Sequence, residues 1–229
     1  AVIAKWTPLF EAAGNTPVGT ITADIVRGGT PPGADRGVES SAGNLVADAQ
    51  LWATSFNGAQ VAFMNAGGVR SDLTYAPSGA EGAGVVTYGE AFTFQPFGNT
   101  LVTIPMTGAQ IVSVLQEQCQ PAGSSRPFLN LGVSTGFSYT LSRTIVNGTC
   151  TAVSVTGVTL NGKALDPGTT YWVTVNTFLA DGGDNFATFK QVPASERLPG
   201  GVDLQALTDY LGTFSPVAPP SPARVTEVP

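Results

Sequence analysis

The sequence predicts an α+β domain of mixed β-sheets with packed helices, and three observations carry that expectation. Segments with helical periodicity and segments rich in β-branched residues are interspersed without a βαβαβ rhythm. The 28 glycines and 17 prolines punctuate the chain into short elements, with no internal repeat and no long linker. A chain of 229 residues, 42% of them apolar, is enough for one compact domain that buries roughly 70–75% of its unfolded surface.

The first thirty residues are expected to form an extended entry with one short strand, Val18–Ile25, before the turn-rich loop Gly28–Gly33. Leu45, Val46, Ala49, Trp52, Ala53 and Phe56 recur at helical spacing, which predicts one apolar face of a helix over Ser41–Phe56. A short apolar strand, Val61–Met64, follows. Thr87 and Glu90 fit a capping box, and the helix they start must stop before Pro96. Thr100–Met106 is rich in β-branched residues and reads as a strand. Thr107 then caps a helix over Gly108–Gln118 that buries Ile111, Val112 and Leu115. Strands are expected at Phe137–Ser142, Thr151–Leu160 and Tyr171–Val175, with Asn161-Gly162 as a two-residue hairpin turn. Leu204, Leu207 and Leu211 mark a last helix, Asp203–Leu211. The core is expected over about 18–215, and 216–229 is a proline-rich tail whose Arg224-Val225-Thr226 can pair as a final strand.

Composition excludes several functions. Ten basic residues against sixteen acidic ones give a net charge of −6. Charged residues make up 11% of the chain, against about 25% in ordinary soluble domains. That argues against binding a nucleic-acid polymer, which needs a basic face. Histidine is absent, so the chain cannot build a Ser-His-Asp triad, a His-liganded zinc site or a His-bridged two-metal centre. No apolar run approaches the 18 or so residues of a membrane span. The opening AVIAKWTPLF has no basic-then-apolar leader, so any signal peptide is expected to have been removed or to lie outside this sequence. Cys119 and Cys150 form no CxxC, and they read either as buried free thiols or as a disulfide of a secreted or periplasmic protein.

Three glycine-rich loops combine exposed backbone N–H groups with unusual side chains. Asp35–Asn44 runs into a helix N-terminus with Arg36 about one turn before it, a setting that favours anions, although a solvated arginine beside a capped helix explains the same spacing. In Asn65–Asp72, paired glycines permit close backbone approach, Asn65 offers a donor and an acceptor, and Arg70 can fork onto a phosphate. A plain strand-end turn is the alternative there, and the loop is neither GxGxxG nor a Walker loop. In Asn176–Phe186, Phe178 followed six residues later by Asp184 suits a base-stacking ring and a carboxylate for ribose hydroxyls. A calcium loop is a weaker reading of that segment. Phe97, between Pro96 and Gly98, reads as a core residue or as a second stacking ring.

ESSAGNLVADA, NAGGVRSDL, TYGEAFTFQPFGNTLVTIPMTGAQI, GFSYTLS and NTFLADGGDNF occur in this order and together resemble the C-terminal domain of 5′-nucleotidases, the family of UDP-sugar hydrolases and ecto-5′-nucleotidase. The resemblance runs from about Val18 to at least Phe189. It implies a two-domain parent enzyme of a secreted, periplasmic or cell-surface setting. The N-terminal metallophosphoesterase domain, absent from this chain, would carry two divalent metal ions and the catalytic groups. No catalytic residue, metal ligand or cofactor is then expected in residues 1–229. The resemblance further implies that Phe97 and Phe178 sandwich the base, Asp184 takes the ribose hydroxyls, Asn65 contacts the base edge, and Arg36 and Arg70 hold phosphate. A second arginine near the first loop, used by some members, has no counterpart there, since Ser40 and Ser41 follow Glu39. The rival readings are a secreted interaction domain that kept the fold without the ligand, the substrate domain of a cyclic-nucleotide phosphodiesterase or UDP-sugar hydrolase, and a carboxylate-based glycosidase using two of Glu90, Asp181 and Asp184.

Overall fold

The structure, a computed structural model, describes residues 13–229. The part of the expected extended entry that falls in residues 1–12 lies outside the described residues. In chain order the elements are β1 (Pro17–Thr20), α1 (Ser41–Ala53), β2 (Val61–Asn65), β3 (Val85–Thr87), α2 (Tyr88–Phe94), β4 (Thr100–Thr107), α3 (Gly108–Gln116) and β5 (Leu131–Val133). They continue with β6 (Phe137–Val146), β7 (Thr149–Leu160), β8 (Lys163–Ala164), β9 (Thr170–Asn176), α4 (Thr177–Ala180), β10 (Leu198–Val202), α5 (Asp203–Phe214) and β11 (Val225–Val228). The architecture is the expected α+β mixture. A five-stranded sheet has the order β10-β4-β9-β2-β5, a four-stranded sheet the order β11-β6-β7-β8, and β1 pairs with β3.

Strand β2 is buried along its whole length because it is covered on both faces. Val61 and Phe63 belong to an apolar cluster with β4, β9, α3 and the four-stranded sheet. Met64 points the other way, into a second cluster with α1, α2 and α5, as the two-residue alternation of a strand requires. Helix α1 packs between β2, β5 and α5, and every residue from Ser41 to Gln50 is buried. The sequence shows only one apolar face there. The polar face is buried as well because its side chains find distant partners. Asn44 bonds Glu39 and the Val133 N–H, and Asp48 bonds Arg224 and the Thr135 N–H.

Local chemistry explains most element boundaries. Thr87 and Glu90 make the capping box in both directions, with the Thr87 N–H donating to Glu90 Oε2 at 2.9 Å. Thr107 makes a second box with Gln110. Asn161 and Gly162 both have positive φ in the two-residue turn joining Leu160 to Lys163. Several expected boundaries change: β6 runs four residues past Ser142, and α5 three residues past Leu211. The strand expected over Val18–Ile25 ends at Thr20, because Ile21 turns to pair with Val217 and Ile25 with Leu73. Helix α1 stops at Ala53, where the Thr54 hydroxyl bonds back to the Gln50 carbonyl and to Thr174, and Phe56 is left 73% exposed. Helix α3 ends at Gln116 and buries Val114 in place of the half-buried Val112. Cys119 and Cys150 are joined as a disulfide with their Cα atoms 5.5 Å apart, tying the segment after α3 to β7. Closing a 31-residue separation stabilises the fold by about 3–4 kcal/mol in the chain-entropy account.

Candidate functional site

Strands β2 and β9 are parallel neighbours, with Val61 opposite Val173 and Ala62 opposite Thr174. Their C-terminal ends, Asn65 and Asn176, therefore leave the sheet at the same edge. Strand β4 runs antiparallel to β9 with Leu101 opposite Asn176, so the segment before β4, which carries Phe97 and Asn99, arrives at that edge too. The loop after Asn65, the turn after α4 and the segment before β4 thus meet. A cleft of about 240 Å³ lies between them, lined by Arg36, Asn65, Gly67, Gly68, Arg70, Phe97, Asn99, Phe178 and Asp184. All six side chains singled out in the sequence are among these.

The amide of Asn65 is fixed at both ends. Its Nδ2 donates to Asp184 Oδ2 at 3.2 Å, and its Oδ1 accepts from Asn176 Nδ2 at 3.0 Å. Asn176 is itself held, since its own Oδ1 caps α4 by accepting the Leu179 N–H. Asp184 adopts a left-handed backbone (φ 53°, ψ 29°), which an Asp tolerates better than most residues. Gln120 secures that turn by donating from Nε2 to the Asp184 carbonyl at 3.0 Å and accepting from Asn185 Nδ2 at 2.8 Å. Asn99 bonds Asp203 at the start of α5 and so anchors the loop that carries Phe97.

The two rings are displayed rather than packed away. Phe97 is 55% exposed and Phe178 43% exposed, and neither makes a ring–ring contact with another aromatic among the described residues. Phe97 is therefore not a core residue. Phe178 lies flat against the backbone of Gly183, where a Cβ would sit 2.5–2.6 Å from three ring carbons, so only glycine allows this ring position. The Arg70 guanidinium stands 5.9 Å from the centre of the Phe97 ring, within cation–π range.

Positive charge gathers on one side of the cleft. Of the seven arginines in the sequence, Arg27, Arg143, Arg197 and Arg224 are ion-paired, with Asp72, Glu227, Asp181 and Asp48. Among the described residues Arg36, Arg70 and Arg126 have no ion pair. Arg70 donates to the Gly67 carbonyl, and a Cβ on Gly67 would meet Arg36 Nη1 at 3.3 Å and Asp184 Oδ2 at 3.5 Å. Burial, and then the like charges of Arg126 and Arg70, hold the Arg36 guanidinium below its ordinary pKa, with Asp184 opposing. Arg126 shares a second open cleft with Arg36 and brings a further free guanidinium close to it. Sequence reading missed Arg126, because it lies ninety residues from Arg36 with no local motif, and it missed Gln120 for the same reason. Asn99 and Asn176 lie within the motifs that carry the family resemblance, but sequence reading assigned a role to neither of them. Glu90 and Asp181 do not line the Asp184 cleft. Glu90 is committed to the Thr87 cap and Ser78, and Asp181 to Arg197.

The fold is that of a hydrolase family. The chain belongs to the family described as 5′-nucleotidase, C-terminal domain, whose model matches residues 17–191. It is 36% identical to a cell wall protein of Listeria monocytogenes over 80% of this chain and 23% of that protein. It is 30% identical to a 5′-nucleotidase of Vibrio cholerae over 78% of this chain and 28% of that protein. The solved 5′-nucleotidase precursor of Thermus thermophilus superposes on 99% of the chain and 42% of its own, with a TM-score of 0.74 at 29% identity. The chain thus spans less than half the length of each of these relatives. Among the described residues no helix is long and apolar enough to cross a membrane.

Proposed function

We propose that this chain is the nucleotide-binding domain of a secreted or cell-surface, metal-dependent 5′-nucleotidase. It holds a nucleoside 5′-phosphate and presents the phosphoryl group to a separate N-terminal metallophosphoesterase domain of the same polypeptide. The observation that carries this reading is the convergence, in one cleft, of two half-exposed phenylalanines, a carboxylate and two guanidinium groups without ion pairs. Stacking on an aromatic face contributes ~1–3 kcal/mol per base and tolerates different bases. In this reading Phe97 and Phe178 take the two faces of the base, Asn65 its edge, and Asp184 the ribose hydroxyls. Arg36 and Arg70 fork onto the phosphate, with Arg126 adding charge behind them.

The residues here do not fit a dinuclear metal centre. Histidine is absent, and the described residues hold no cluster of three Cys, Asp or Glu side chains able to bind an ion. Two divalent metal ions, and the chemistry, belong to the other domain in this reading. The present chain then contributes orientation, which raises the rate only by placing the phosphoryl group where it reacts. The purified 229-residue chain is expected to release no phosphate from AMP in the presence of Mg²⁺, Mn²⁺ or Zn²⁺. Steady release that follows the protein through repeated chromatography would overturn this assignment.

The ribose contact supplies a second test. Titration calorimetry with adenosine and 2′,3′-dideoxyadenosine should show adenosine binding about tenfold more tightly, the order expected for hydrogen bonds to a charged carboxylate. In D184N, which keeps an acceptor for Asn65, most of that preference should vanish. Equal affinity of the unaltered chain for both nucleosides would remove Asp184 from the ribose site.

A further inference from the structure

The Arg36 guanidinium has no hydrogen-bond or ion-pair partner among the described residues, so its position is set through its backbone. That backbone is gripped from several sides. The Arg36 carbonyl accepts from the Asn130 N–H at 2.8 Å, and the Gly37 carbonyl accepts from Arg143 Nη1 at 2.6 Å. The Gly37 N–H donates to Asp35 Oδ1 at 2.6 Å. Two of the ties on this loop lead to the C-terminal strand. Arg143 packs over the Phe128 ring at 4.4 Å and pairs in a fork with Glu227, at 2.8 and 3.2 Å. Glu39, three residues after Arg36, accepts the Arg224 N–H at 3.0 Å and the Val225 N–H at 3.1 Å from the tail backbone, and Asn44 Nδ2 at 2.7 Å from α1. Strand β11 is held in turn by parallel pairing with β6, Val225 opposite Tyr139.

We propose that β11 acts as a latch on the Arg36 loop, with Glu39 and Arg143 as positioning residues that aim a guanidinium they do not touch. A free, forked donor gains from being held in place before its anion arrives, because the ordering cost is then met by folding instead of by binding. The tail is therefore part of the phosphate-binding apparatus. This inference rests on the reading of Arg36 as a phosphate ligand, and its test separates the two ideas.

Titrations of the 229-residue chain with adenosine and with AMP, in EDTA, give a ratio of affinities that reports the phosphate contribution alone. The unaltered chain should prefer AMP, and R36A should lose most of that preference. E39Q can accept at one oxygen only, and R143M loses the bonds to the Gly37 carbonyl and to Glu227. Each should lower the AMP preference about threefold or more while leaving adenosine affinity unchanged, and E227Q, altered at a half-exposed position, should do so more mildly. In the R36A background, E39Q and R143M should change the ratio no further, because they act through Arg36. A ratio that stays constant in E39Q and R143M, even if their unfolding midpoints fall, would show a purely structural role and overturn the latch. A ratio that falls equally with and without Arg36 would overturn it too. An AMP preference that survives R36A would instead remove the phosphate reading on which the latch depends.

Discussion

Replacing both cleft phenylalanines, F97A/F178A, is expected to weaken adenosine binding by about 4 kcal/mol, roughly a thousandfold in Kd, while the fold survives. The size follows from losing two stacking faces, each contributing ~1–3 kcal/mol. The survival follows from exposure, since both rings stand about half in solvent and neither belongs to an apolar core cluster. Titration calorimetry measures the first and urea unfolding the second. A double variant that binds adenosine within threefold of the unaltered chain would mean that the rings do not clasp a base. G183A sharpens the test without removing a ring. The new methyl group would overlap Phe178 by its ring carbons, and the exposed ring must swing away at little cost to stability. Adenosine affinity should fall toward that of F178A alone. Unchanged affinity in G183A would show that the ring position set by this glycine is immaterial.

The parts of the fold governed by neighbouring residues were legible in the sequence. Thr87 and Glu90 lie three residues apart and cap α2 as their spacing dictates, and Asn161-Gly162 supplies the two positive-φ residues its hairpin needs. The cleft was legible through short motifs, because each loop carries its own signature and the topology only has to bring three of them to one sheet edge. Features made by distant segments were not legible. The polar face of α1 looks solvent-facing until residues 133–135 and 221–225 arrive to satisfy Asn44 and Asp48. Nothing near Arg126 marks it as a neighbour of Arg36. Phe56 fits the helical stripe, yet the Thr54 hydroxyl takes the Gln50 carbonyl, the helix ends, and the ring is left in solvent. Pattern reading finds what a segment does with itself. It misses what a later segment does to it.

Asp48 is where that distinction has its largest energetic consequence. Its carboxylate accepts from Arg224 Nη1 and Nη2, both at 2.7 Å, and from the Thr135 N–H at 2.6 Å, while Arg224 Nη1 also reaches the Val133 carbonyl. Asp48 is buried and Arg224 nearly so, which makes this pair the most enclosed of the four ion pairs in the described residues. D48A would leave a guanidinium with a single carbonyl and a backbone N–H with no acceptor. Stranding one partner of a buried pair costs about 3–5 kcal/mol, far more than the pair itself contributes over an apolar replacement. The expected result is therefore a fall of that size in unfolding free energy by urea titration, enough to threaten a domain of ordinary stability. D48N keeps an acceptor for Thr135 and should lose less. D48A/R224M, which removes both charges, should recover most of the loss, because the penalty lies in the unpaired charge and not in the absent bridge. A loss below about 1 kcal/mol in D48A would place the pair with ordinary surface bridges and free the tail from α1. If D48A/R224M proved no more stable than D48A, the cost would instead lie in the Thr135 N–H left without its acceptor.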